Sequence, residues 1–276
     1  MGEMAVNGDS CIELVGIEVI SHKINLKQLD RKIRIAAVSY RNAIPLVYGF
    51  EKGMLKDSAD LVFEYPAKLA ALLLKDEADI ALLPVAVLPS LNEYHIIADY
   101  CIGADGDVAS VCLFSEVPIN QVTEIYLDYQ SRSSVALLKI LLKKHWKINP
   151  QLLESTEGFE ESISGTKAGL IIGDRALEQR SKSTYIYDLA GAWKELTGLP
   201  FVFAAWVANK KLPDSFISEF NKATAEGLSH LREIADRQHF EAYDLYQYYT
   251  ENIQYKLDED KKSALKLFLE WLSSEQ

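Results

Sequence analysis

From residue 32 to residue 207 the chain repeats one pattern: a short apolar run, a polar turn, then an amphipathic stretch. Apolar runs at 33–38, 61–64, 80–83, 108–114, 124–127, 169–172 and 201–207 have the length and composition of buried strands. Stretches at 45–52, 66–75, 133–144 and 188–196 have helical spacing, with a shorter helix near 85–91. Leu69, Leu72 and Leu73 share one helix face, and Val135, Leu138 and Leu142 share one side of another. After Pro213 the pattern is helical almost to the end. Strands alternating with helices predict an α/β fold with a mostly parallel sheet covered on both faces.

The pattern also divides the chain. Residues 32–115, joined by a returning strand and the helices of 201–276, form one expected lobe, and residues 116–200 the other. Crossings near 114–118 and 198–202 would link the lobes, with a ligand cleft between them. Residues 1–31 precede the first convincing strand as an extension; within it, 12–20 fits either an extra strand or part of a loose segment.

Composition narrows the classes. With 29 Lys and Arg against 40 Asp and Glu, the net charge of −11 argues against a general nucleic-acid or anionic-membrane binder. It leaves room for an anionic small molecule, because a pocket's local field differs from the net charge. Three cysteines, Cys11, Cys101 and Cys112, show no metal-ligand spacing and fit a reduced, cytoplasmic compartment. The first 25 residues lack the basic start and apolar core of a signal peptide, and no apolar run reaches membrane-spanning length.

Four polar constellations stand at strand ends, where α/β sheets bind their ligands. The first is Ser39-Tyr40-Arg41-Asn42, with Pro45 three residues on, in the first turn of a helix. Asn42 offers both donor and acceptor; a helix cap or an Asx turn is the commoner use at this spacing. Arg41 reads as a solvated arginine or a carboxylate contact. The second is Ser110, a lone hydroxyl in an apolar run that must find a partner if buried. The third is Asp128-Tyr129-Gln130-Ser131-Arg132-Ser133-Ser134 at a helix start, where free N–H groups and the dipole favour anions by roughly 0.3–1 kcal/mol; Arg132 offers a bidentate carboxylate contact, and Ser131 equally serves as the cap. The fourth is Gly173-Asp174-Arg175, where Asp174 reads as a cap for the next helix. No glycine-rich phosphate loop, nucleophile elbow or zinc spacing is present. His22, His95, His145, His230 and His239 lie outside all four constellations, and the cluster Tyr243, Tyr246, Tyr248 and Tyr249 reads as helix packing.

Taken in order, these motifs resemble the chorismate dehydratase family of the futalosine route to menaquinone. The carriers are Ser39-Tyr40-Arg41-Asn42-Ala43-Ile44-Pro45-Leu46, Asp79-Ile80-Ala81-Leu82-Leu83-Pro84, Ser110 to Ser115, Ser131 to Ser134, Ile172-Gly173-Asp174-Arg175-Ala176-Leu177 and Thr197 to Trp206. The similarity runs from about residue 33 to 272, and it is the shared order that is specific. Val85 departs from the pattern, standing where the family often has Ser. The resemblance implies a two-lobed type II periplasmic-binding-protein-like fold, mixed sheets flanked by helices, used as an enzyme. It implies loss of water from chorismate to give 3-[(1-carboxyvinyl)oxy]benzoate, with no cofactor. It implies that Asn42 and Ser110 lie in the substrate site, and these are the expected catalytic pair; the expected substrate contacts are Ser39, Tyr40, Arg41, Ser131, Arg132, Ser133, Ser134, Gly173 and Asp174. The expected partner is the small molecule alone, with no nucleic acid or membrane, in a monomer or homodimer.

Three alternatives share the fold. The later menaquinone enzyme 1,4-dihydroxy-6-naphthoate synthase typically shows a Pro-Asn-Asp-Thr type first loop, unlike Ser39 to Asn42. A solute-binding protein for a small carboxylate would carry an export signal, and Cys11 follows Asn7-Gly8-Asp9-Ser10 rather than an apolar stretch. A ligand-sensing regulator would need a DNA-binding helix-turn-helix, for which 31 leading residues are too few.

Overall fold

A computed structural model describes residues 31–274, so the expectations for 1–30 lie outside the described residues. The first sheet has six strands in the order β11-β4-β10-β3-β1-β2: β1 (Ile33–Ala37), β2 (Ala59–Phe63), β3 (Ile80–Pro84), β4 (His95–Ala104), β10 (Phe201–Ala208) and β11 (Gln254–Lys256). The second has five in the order β7-β6-β8-β5-β9: β5 (Val111–Ser115), β6 (Glu124–Leu127), β7 (Gln151–Glu154), β8 (Lys167–Ile172) and β9 (Tyr185–Asp188). Helices flank both sheets, so the α/β class with mixed, helix-covered sheets holds.

The expectation of a mostly parallel sheet is corrected. Strand β1 runs parallel to β2 and β3, and β6 parallel to β7 and β8, as local strand–helix units require. By contrast β10 is antiparallel to β3 and β4, and β5 is antiparallel to β8 and β9. Both β5 and β10 enter their sheets from the opposite one, which frees them from the right-handed crossover that makes neighbours parallel. The first crossing also moves. Because β5 pairs in the second sheet, the chain changes sheets at 105–110 rather than near 114–118. We propose a lobe boundary there, with 111–115 assigned to the second lobe.

Packing against the first sheet fixes the loop after β1. Helix α1 (Ile44–Glu51) carries Pro45 in its first turn. It lies so close to α6 (Asp214–Leu228) that a Cβ on Gly49 would strike the Ala223 carbonyl, and one on Gly227 the Pro45 carbonyl. These two glycines let the helix backbones touch, and the loop feeding α1 inherits that rigidity. Other helices are α2 (Pro66–Leu74), α3 (Arg132–Leu141), α4 (Gly173–Gln179), α5 (Leu189–Thr197), α7 (Leu231–Asp236), α8 (Leu245–Gln247) and α9 (Glu259–Ser274). Helix α8 runs into a π turn at Tyr248–Asn252. Among the described residues, no helix is long and apolar enough to cross a membrane.

Candidate active site

Four loops meet between the sheets. They are the 3-10 turn Arg41–Ala43 after β1, the crossing at 105–110, the β6–α3 loop and the β8–α4 junction. Tyr40, Asn42, Ser110, Gln130, Ser131, Ser133, Ser134 and Gly173 form the polar lining of one cleft. Its apolar walls include Val38, Leu82, Ile102 and Phe203, and its space is about 590 Å³ counting the open mouth.

Asn42 is not a cap. Neither the 3-10 turn nor α1 has a side-chain hydrogen bond at its N-cap. The Asn42 backbone carbonyl accepts from the Tyr255 hydroxyl at 3.1 Å. Its Oδ1 is buried and has no partner. Buried acceptors in proteins are almost always satisfied, so an orphan at a cleft wall points to a ligand donor.

Ser110 lies in the crossing, not inside a strand. Its N–H donates to the Val108 carbonyl at 2.8 Å across Ala109, whose φ is 63°. That i→i+2 bond over a left-handed alanine is a γ-turn, a conformation costing on the order of 1–3 kcal/mol that surrounding bonds must hold. They come from Asp188, which accepts from Val108 N at 3.1 Å and Ala109 N at 2.7 Å. The Gly173 N–H donates to the Ser110 carbonyl at 2.8 Å, with Gly173 itself at φ 64°. The turn aims the Ser110 hydroxyl inward, where its Oγ accepts from the buried Tyr248 hydroxyl at 2.7 Å.

The helix-start serines divide. Ser131 Oγ accepts from the Ser134 N–H at 3.1 Å, capping α3. Ser133 ties the two sheets together: its Oγ donates to the Phe203 carbonyl at 3.0 Å and accepts from the Ala86 N–H at 3.1 Å. Ser134 is buried at the cleft wall. Arg132 is exposed and outside the cleft lining; with Val135 and Lys139 it lines a groove that shares Pro84, Gln130 and Ser131 with the cleft. Ser39 is exposed and off the cleft lining. Arg41 and Asp174 also stand outside the lining. Arg41 Nη1 donates to Gln238 at 2.8 Å, its guanidinium lies 4.4 Å over the Phe240 ring, and its Nε is 3.4 Å from the Asp174 carboxylate. Burial raises the Asp174 carboxyl above its ordinary value, with Arg41 pulling the other way. Asp174 sits inside α4 rather than at its cap, which is Ile172.

Gln130, a member of the third constellation, lines the cleft, and Tyr248 and Tyr255 hydrogen-bond to cleft residues although their sequence positions gave no sign of it. Gln130 accepts from the Tyr40 hydroxyl at 2.6 Å and approaches Arg175 Nη2 at 3.4 Å. Arg175 is itself held by Asp128 at 2.7 Å and Glu160 at 2.5 Å. Burial pushes the Tyr40 phenol up to about 12, so it stays neutral. Among the described residues lining the cleft there is no carboxylate, imidazole, amine or guanidinium. His95, His145, His230 and His239 are absent from it, and His22 lies outside the described residues.

These residues fall inside a recognised family. A family model described as menaquinone biosynthesis matches residues 33–274. The chain is 31% identical over 230 residues to the chorismate dehydratase of Thermus thermophilus, covering 75% of this chain and 84% of that one. It is 30% identical over 148 residues to the chorismate dehydratase of Campylobacter jejuni subsp. jejuni, covering 52% and 66%. Among solved structures, a protein of Archaeoglobus fulgidus superposes with a TM-score of 0.70 at 17% identity, covering 88% of this chain and 97% of that one. A Candida albicans protein described as having the generic periplasmic binding protein fold superposes at 0.57 and 14% identity, covering 88% and 90%. The fold is thus periplasmic-binding-protein-like, and the chain belongs to the menaquinone biosynthesis family.

Proposed function

We propose that this chain is a chorismate dehydratase, a hydro-lyase that removes water from chorismate to give 3-[(1-carboxyvinyl)oxy]benzoate. Support comes from two relatives of that name and from one feature of the cleft: its lining offers an orphan amide oxygen and several hydroxyls, but no acid or base of ordinary pKa. A cleft so furnished suits a reaction in which the substrate brings its own base.

Chorismate does so. Its enolpyruvyl carboxylate takes the C3 proton, the C4–O bond breaks, and the departing hydroxide recovers a proton from the carboxylic acid just formed. Atoms balance as one benzoate ether and one water, and ring aromatisation drives the sum. The protein's task is then orientation, which is worth several kcal/mol of barrier when reacting groups are held in line. In this reading Asn42 Oδ1 accepts from the C4 hydroxyl and orients it for departure, while Ser110 donates to a carboxylate. The helix-start groups near Ser131 and Ser134 favour the second negative charge. The location is cytoplasmic, where menaquinone precursors are made.

Incubation of the protein with chorismate tests this directly. The cyclohexadiene absorbance should decay as an aromatic product appears. Saturable binding without turnover would instead support a solute-binding protein.

A further inference from the structure

We infer that residues 248–255 form a positioning element for this site: three of their side chains grip the Asn42 turn and the Ser110 crossing, and so fix the spacing between Asn42 and Ser110. The inference rests on the dehydratase reading for its kinetic consequence, though not for its contacts.

The element is the π turn Tyr248–Asn252 running into the edge strand β11. The turn closes where the Ile253 N–H donates to the Tyr248 carbonyl, five residues back, at 2.9 Å. Single π turns of this kind are frequent at functional sites. Strand β11 then pairs with β4, setting Gln254 opposite Gly103 and Lys256 opposite Tyr100. A Cβ on Gly103 would lie 2.7 Å from the Phe201 carbonyl oxygen and 3.3 Å from that of Gln254, so the glycine lets the strands close. Strand β4 feeds directly into the crossing at 105–110, and the element shares its frame. Alternation along β11 leaves Lys256 exposed and turns Tyr255 into the core.

Three hydrogen bonds leave this frame. The Tyr255 hydroxyl donates to the Asn42 carbonyl at 3.1 Å. Asn252 Nδ2 donates to the Asp107 carbonyl at 3.1 Å, and the Tyr243 hydroxyl fixes that amide by donating to its Oδ1 at 3.1 Å. The hydroxyls of Tyr248 and Ser110 meet at 2.7 Å, with Tyr248 only 1% exposed. Burial raises both phenols above their ordinary value, so each keeps its proton. The first bond grips the turn after β1 and the other two grip the crossing. Among the described residues no hydrogen bond joins that turn to the crossing directly, whereas 248–255 bonds to both. Asn42 and Ser110 must act on one small ring at once, and a misplacement of about 1 Å in such a pair costs on the order of 100-fold in rate.

The test is Tyr255→Phe and Asn252→Ala, one variant for each grip. Each should lower kcat about 10- to 100-fold with KM changed less than about threefold, since the groups displaced act on the reacting bonds. Coupling identifies the route: Tyr255→Phe should cost nothing further in Asn42→Ala, and Asn252→Ala nothing further in Ser110→Ala. Tyr187→Phe is the matched control and should keep full kcat; its hydroxyl accepts from the Ile119 N–H at 2.7 Å, and neither residue lines the cleft. An arm independent of turnover uses 15N NMR. Tyr255→Phe should shift the Asn42 side-chain amide, identified by its loss in Asn42→Ala, and Asn252→Ala should shift the Ser110 backbone amide, both beyond any change in Tyr187→Phe. If Tyr255→Phe fails to fold, Asn252→Ala, at a half-buried side chain, carries both readouts. Wild-type kcat in either folded variant, or amide signals no further displaced than in the control, overturns the inference. Should wild type leave chorismate intact, the dehydratase reading falls and the amide signals alone decide the positioning role.

Discussion

The Tyr40 hydroxyl donates to Gln130 Oε1 at 2.6 Å, so a loop of the first sheet is fastened to a loop of the second at the cleft. Gln130 is steadied in turn by Arg175, itself paired with buried Asp128. Tyr40→Phe cuts this fastening but keeps the ring. The expected outcome is a KM for chorismate raised about three- to tenfold with a smaller change in kcat, since the bond holds the mouth rather than the reacting atoms. Unchanged KM in steady-state assays would show that the bond does not govern access.

Arg132 gives the opposite expectation. A substrate contact was expected there, yet the side chain is exposed and lines a neighbouring groove rather than the cleft. Arg132→Ala should leave kcat/KM within about threefold of wild type, as a solvated charge outside the cleft contributes little. A loss beyond tenfold would mean that the guanidinium swings into the cleft on binding.

Asn42→Ala separates activity from stability. Its Oδ1 is an orphan acceptor in the free protein, so the fold gains nothing from it. We expect kcat to fall about 100-fold, comparable to loss of one oriented polar group at a reaction centre, with a melting temperature within ~2 °C of wild type. Chorismate turnover and a thermal melt on the same preparation check both halves. Full turnover would remove Asn42 from the mechanism.

What was legible in sequence followed from local periodicity. The buried strands β1, β3 and β10 carry near-continuous apolar runs, and α3 announces itself by its Ser131 cap and its leucine stripe. Strand β4 did not. Its pairing with β10 shifts register twice, so buried and exposed positions lose the period of two, and Asp99 and Tyr100 interrupt the run. The site was legible only where polar residues follow strands. Asn42 and Ser110 could be found that way, but nothing local in Tyr248-Tyr249-Thr250 says that one phenol reaches a serine 138 residues earlier. Arg41 and Asp174 were legible as charges at strand ends; that they lie 3.4 Å apart is a property of the two loops brought together.

The last prediction concerns pH and the turn that carries Ser110. Asp188 caps α5 through Ala190 N and Gly191 N, at 3.0 and 3.2 Å, while also accepting from Val108 N and Ala109 N. Burial, and next the negative charge of Asp107, push its carboxyl up to about 6 from an ordinary 3.8, against the pull of those N–H groups. The folded state therefore holds a proton between about pH 4 and 6 that the unfolded chain has released. Stability from this group is present in full below about pH 4 and is lost as pH rises to 6, a change of up to ~3 kcal/mol at 1.36 kcal/mol per pKa unit. Asp188→Asn keeps one acceptor oxygen and cannot ionise. Urea unfolding at pH 4.5 and 7 should show wild type losing stability relative to the variant as pH rises, because the raised carboxyls of Asp128 and Asp174 are common to both and cancel. Parallel profiles for the two proteins would show that Asp188 titrates as an ordinary carboxylate, with the γ-turn at Ala109 held by a charge rather than by a neutral acid.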